Sequence, residues 1–186
     1  MEKQEKFLKS VVGIALPVTL QSLLQSSFSV IDQLMIGKLG SNSIAGVGLG
    51  GKFASVYSVL LAAVAAAVGI MISQYIGQRE EKEVSRSFFA NLFLAVGIAL
   101  AFTVMCVFFS GHIMRFYTKD ALTKEIAADY LRILAFSYVP MAVSSLLSTM
   151  LRCMEAAVFP LYASIVAVAL NTSRILENVT MNFRHT

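Results

Sequence analysis

Five long, almost uncharged stretches constrain this chain more than any other feature. A helix rises about 1.5 Å per residue, so about 20 apolar residues cross the hydrocarbon core of a bilayer. The first stretch runs from Ser10 to Ile31 and continues past Asp32 to Gly37. The second, Phe53 to Gln78, follows the glycine-rich segment Ser41–Gly51. The others are Ser87–Met114, Ile133–Leu151 and Ala156–Ser173. Their apolar residues are continuous rather than alternating, which rejects a β-barrel. The sequence therefore predicts an all-α polytopic membrane protein with spans near 10–37, 53–78, 87–114, 133–151 and 156–173. The first span is too long for a cleaved leader, carries an acid and is followed by four more, so it reads as an uncleaved signal-anchor.

Composition supports this reading: 57% of residues are hydrophobic and only 14% charged, against about 25% charged in a soluble domain. The net charge of +4 is small and dispersed, which argues against a nucleic-acid partner. Cys106 and Cys153 stand far apart in apolar surroundings, and His112 and His185 are isolated, so no metal or redox spacing exists. No cofactor is expected. No span end offers a nucleophile with a base, or paired acids, so the chain does not read as an enzyme.

Short connectors predict antiparallel neighbours. Lys38–Ser43 reads as a turn, Arg79–Arg86 as a charged loop and Arg152–Glu155 as a brief break. His112–Arg132 is the longest polar segment, with Leu122, Ile126 and Tyr130 repeating every four residues in its second half. Lys3, Lys6, Lys9, Arg79, Lys82, Arg86 and Arg152 fall on one side, and Lys38, Lys52, Arg115, Lys119, Lys124 and Arg132 on the other. That balance leans towards a cytoplasmic N-terminus.

Polarity inside the spans is concentrated in the first. Asp32 is the only acid within any of the five runs, and a carboxylate at a helix centre costs about 2.5–3.5 kcal/mol on insertion scales. At about 100° per residue, Thr19, Gln21, Ser22, Gln25, Ser26, Ser29, Asp32 and Gln33 share one broad arc, with Leu20, Leu23, Leu24, Phe28, Ile31, Leu34 and Met35 opposite; Ser27 breaks the pattern on one side, and Val18 and Ile36 on the other. Lipid cannot satisfy such groups, so the arc is expected to face a water-filled cavity or polar helices. The plainer alternative makes Asp32 an interfacial carboxylate, or a helix-end partner of Lys38. Pro17 removes a backbone hydrogen bond from the same span. In the second span Ser55, Ser58, Ala62, Ala65 and Gly69 form a ridge for close helix approach. Gly46–Gly51 lacks the strand context of a phosphate loop and reads as a flexible or close-packed helix start. In the fourth span the hydroxyls around Pro140 can satisfy carbonyls that the proline frees. Asn171 shares a face with Ser164 in the fifth and can donate and accept at once.

These residues resemble the multidrug and toxic compound extrusion (MATE) family. The resemblance rests on Ala15-Leu16-Pro17, Ser29-Val30-Ile31-Asp32, Ile36-Gly37-Lys38-Leu39-Gly40, Ser73-Gln74-Tyr75-Ile76-Gly77, Tyr130-Leu131-Arg132-Ile133, Leu151-Arg152 and Leu170-Asn171. It implies five helices of a six-helix N-terminal lobe, in exporters that have two such lobes around a central cavity. Such exporters reside in the plasma membrane and exchange H+ or Na+ for small organic, often cationic, substrates. The resemblance further implies a proton or cation site at Asp32, with Tyr130 and Asn171 in the same polar network. It also implies a bend at Pro17, and the arc read from helical spacing then sets Gln21, Gln25, Ser29 and Gln33 along the cavity. A carboxylate partly removed from water takes up a proton more readily, which fits this role.

The resemblance breaks near the end. Glu155 stands where the family usually has glycine, Ile175 where it commonly has aspartate, and residues 172–186 form a divergent tail. The expectation is a truncated fragment that does not transport alone, arising from a frameshift, an early stop or an artefact of the gene model. Two alternatives remain: a lipid-linked sugar flippase of the same superfamily, and a half-transporter that needs a partner chain. The oligomeric state is not legible.

Overall fold

The computed structural model describes the backbone of residues 2–37 and 40–170, and their side chains except at 2–10, 28, 31, 32 and 34–36. Asn171 and the divergent tail, 172–186, lie outside the described residues. Six helices occur among those described: α1 (Glu2–Gly37), α2 (Ser41–Gly77), α3 (Glu81–Tyr117), α4 (Ala121–Ala135), α5 (Tyr138–Cys153) and α6 (Val158–Leu170). Their described residues form two compact units, one holding α1 to Gln33 and residues 154–170, the other Leu34–Cys153.

Among the described residues α2 and α3 are each long and apolar enough to cross a membrane. At 37 residues each, they extend about 55 Å, well beyond a hydrocarbon core of about 30 Å. The bent pair α4–α5 qualifies as a third span when taken together, and Val11–Ser27 of α1 and α6 are shorter apolar helices.

The helices outrun the uncharged stretches because the charges between them suit helix ends. Arg79–Arg86 is not a loop: α3 begins at Glu81, with Glu81 and Glu83 in its first turn, where carboxylates favour the positive end of the helix dipole. The Glu80 carbonyl accepts from the amides of Glu83 and Val84 at 3.1 Å each. On the other side of the turn, the Glu80 amide donates to Tyr75 O (3.0 Å) and the Arg79 amide to Ile76 O (3.1 Å). This paired closure ends a helix through one left-handed residue, here Arg79 at φ 60°. Likewise His112–Arg132 is mostly helical, with only Thr118–Asp120 between α3 and α4. The Asp120 carboxylate accepts from the Thr123 amide at 2.8 Å, an N-cap.

The core of the second unit follows one face of α2, through Tyr57, Leu61, Ala65, Val68 and Ile72. Against it stand Ala95, Ala99 and Cys106 of α3, Leu131 and Ala135 of α4, and Ala142 and Leu146 of α5. Small residues dominate the facing helices, which lets backbones approach closely. The expected ridge on α2 is only partly the packed one. Ala65 is buried and Gly69 packs, but Ser55 and Ala62 are exposed. A Cβ at Gly69 would lie 3.2 Å from Thr149 Cγ2.

The fourth apolar run is part of a longer, broken helix. Relative to α4, α5 is bent by 51°. Pro140 sits in the first turn of α5 and offers no N–H to the carbonyl of Phe136, four residues back, while its ring crowds that oxygen. The ladder stops there, and the last α4 carbonyls find other donors. Ile133 O accepts from the Phe136 amide at 3.4 Å, and Leu134 O from the Ser137 amide at 2.9 Å and its hydroxyl at 2.6 Å.

Candidate functional site

In the first unit α1 is helical through Pro17, and both Pro17 and Gln21 are buried. Gln25, Ser29 and Gln33 are exposed, as are Leu20 and Leu23 across the helix. Two serines satisfy themselves locally: the Ser22 hydroxyl donates to Val18 O and that of Ser27 to Leu23 O, each at 2.9 Å. Such back-bonding lets serine sit on an apolar helix without an external partner. Within the arc this relieves Ser22, whereas Ser27 lies off it. Asp32 falls within α1, with its side chain outside the described residues, and Asn171 lies outside them altogether.

In the second unit Tyr130 projects from α4, half-buried, with its ring against α2 at Gly50. Gly46 and Gly50 are buried and meet α4 directly, so the glycine-rich segment is the close-packed helix start rather than a flexible one. Asp129 and Arg132 flank this face in an exposed ion pair of 3.0 Å, worth at most about 1 kcal/mol.

A polar cluster that sequence reading did not assemble sits at the α4–α5 break. The Tyr57 hydroxyl donates to the carbonyl of Tyr138 at 2.7 Å, and the two rings lie 4.3 Å apart at 36°. Thr103 places its hydroxyl 2.8 Å from Ala99 O in its own helix and 3.0 Å from Ala135 O, the last carbonyl of α4. The Cys106 thiol donates to the Tyr138 hydroxyl at 3.9 Å, so this cysteine packs and also makes a weak polar contact. Polar residues inside otherwise apolar runs were the available signal, but that they meet at the break was not legible in the sequence. Among the described residues no cluster of three or more His, Cys, Asp or Glu side chains could hold a metal ion.

Long apolar helices joined by short turns define a polytopic helical membrane protein. The chain belongs to the MatE family, whose profile matches residues 17–173. Among similar proteins, the "Probable multidrug resistance protein NorM" of Streptococcus pneumoniae is 23% identical over 171 residues, covering 92% of this chain and 37% of that protein. The multidrug resistance protein NorM of Burkholderia vietnamiensis is 27% identical over 124 residues, 67% of this chain and 27% of its own. Two solved structures share the fold at a TM-score of 0.81 and 20% identity, each covering 88% of this chain and 36% of the other. They are a MOP superfamily transporter from Pyrococcus furiosus and an outward-facing multidrug resistance MATE family transporter of the same superfamily. The chain thus matches between 27% and 37% of the length of these relatives.

Proposed function

We propose that this chain forms part of an exporter that moves small organic cations out across the plasma membrane in exchange for H+ or Na+, with its N-terminus in the cytoplasm. The family match over residues 17–173 carries the reading, and the polar arc of α1 supplies its chemistry. Asp32 is the exchange site: as a carboxylate it attracts a cationic substrate, and with a proton or sodium ion bound it does not. Exchange follows when the two ligands favour different conformations. Gln21, Gln25, Ser29 and Gln33 line the path, Tyr130 and Asn171 complete the polar network, and Pro17 lets α1 bend. The reading includes no enzymatic step. Residues 1–186 alone bind but do not carry substrate, because a two-lobed cavity needs the further length its relatives have.

Ethidium, a fluorescent organic cation, tests this in lipid nanodiscs. Its binding to the chain should weaken on acidification or on adding sodium, and Asp32→Asn should abolish that dependence. Binding that keeps its full ion dependence in Asp32→Asn would refute the role of Asp32. Ethidium export from energised vesicles containing only residues 1–186 would refute the need for further segments.

A further inference from the structure

We infer that Gly50 is a positioning residue for Tyr130: the bare backbone of α2 at Gly50 is the surface on which the Tyr130 ring rests, and it fixes where the phenol hydroxyl stands. The functional part of this inference rests on the reading of Tyr130 as a member of the substrate and ion site.

A Cβ at Gly50 would lie 2.6 Å from Tyr130 Cδ1, 3.4 Å from Tyr130 Cε1 and 3.3 Å from Ala127 O. Non-bonded carbons ordinarily settle at about 3.5–4.0 Å. Two of the three nearest atoms are thus ring carbons along one edge of the tyrosine, and no side chain other than glycine leaves them room. One turn earlier Gly46 serves a different neighbour, since a Cβ there would lie 2.7 Å from Ile126 Cγ2 and 2.9 Å from Ile126 Cβ. Gly48, between them, meets no described atom within 4 Å. The two packed glycines therefore divide the work: Gly46 seats Ile126, and Gly50 seats the aromatic ring. Tyrosine has only two side-chain torsions, so a ring blocked on its Gly50 edge turns into another staggered well and carries its hydroxyl elsewhere.

The test uses the 186-residue chain in nanodiscs with 3-fluorotyrosine placed at position 130, read by fluorine NMR and by ethidium binding. Gly50→Ala should shift the fluorine resonance, whereas Gly48→Ala, which pays the same helix-propensity change, should leave it in place. Ethidium binding should weaken about tenfold in Gly50→Ala and in Tyr130→Ala, and by no more than that in the double variant, because both remove one interaction. An unmoved resonance in Gly50→Ala, or effects that multiply in the double variant, would overturn the inference. Unchanged ethidium binding in Tyr130→Ala would instead overturn the reading of Tyr130 as a site residue, while the fluorine signal still decides what seats its ring. If Gly50→Ala does not fold, recovery of folding in Gly50→Ala/Tyr130→Ala supports the ring contact. Failure of that double variant assigns the conflict to the Ala127 backbone and overturns it.

Discussion

The hydroxyl of Tyr57, on α2, donates to the main-chain carbonyl of Tyr138 at 2.7 Å, across 81 residues of sequence, while the two rings lie 4.3 Å apart. Both side chains are sealed from solvent, at 0% and 2% exposure. One residue of α2 thus fixes the start of α5 by a directional bond and by ring contact. Tyr57→Phe keeps the ring and removes the bond, so it should cost about 0.5–1.5 kcal/mol, nearer the lower value if membrane hydrogen bonds follow their usual average. Tyr57→Ala removes both and should cost about 3–5 kcal/mol. Unfolding in mixed micelles measures each; a Phe variant as unstable as the Ala variant would contradict this division.

Pro140 should be the cause of the bend rather than a passenger. Pro140→Ala restores an N–H opposite the Phe136 carbonyl and removes the ring that crowds it, so α4 and α5 should straighten from 51°. Spin labels at the exposed positions Leu122 and Leu147, in a background with both cysteines replaced, should then move apart. An unchanged distance would show that Tyr57 and Thr103 hold the bend without the proline.

The apolar runs made the helical class and the positions of the long helices legible, because continuous hydropathy is a property of sequence alone. The bend was half legible: Pro140 and its neighbouring hydroxyls were visible, but Tyr57 and Thr103 reach it from other helices, and no local pattern reports that. Helix ends were misjudged for a different reason. Charges in Arg79–Arg86 signalled exit from the membrane, which is correct chemistry, but acids in a first turn also stabilise a helix start. Gly46 and Gly50 could be seen as candidates for close packing, yet only the fold shows that their partners are Ile126 and Tyr130.

Glu155 offers a test of backbone strain. The resemblance puts glycine at this position, and the structure supplies a reason, since Glu155 stands at φ 58°. A left-handed conformation costs an L-residue about 1–2 kcal/mol, and glycine gives back about 0.5–1 kcal/mol through its freer unfolded chain. Glu155→Gly should therefore stabilise the protein by up to about 1.5 kcal/mol, the difference between those terms. Glu155→Ala retains the Cβ and should bring no such gain. Equal melting temperatures for the Gly and Ala variants would remove strain as the explanation.

Asp120 gives a pH dependence outside the membrane spans, at the corner between α3 and α4. Hydrogen bonds from Thr123, through its side chain and then its amide, hold the Asp120 carboxyl below its ordinary value of 3.8. A carboxylate whose pKa is lower folded than unfolded contributes stability above the unfolded value and loses it as pH falls through the folded one. The first turn of α4 should accordingly stay capped at neutral pH and loosen only in acid. The Thr123 amide resonance should titrate with a midpoint below the ordinary aspartate range in the wild type. In Asp120→Asn, whose amide oxygen still accepts the Thr123 N–H but does not ionise in this range, that titration should vanish. A Thr123 amide that titrates identically in both proteins would show that another acid, not the cap, governs this end of α4.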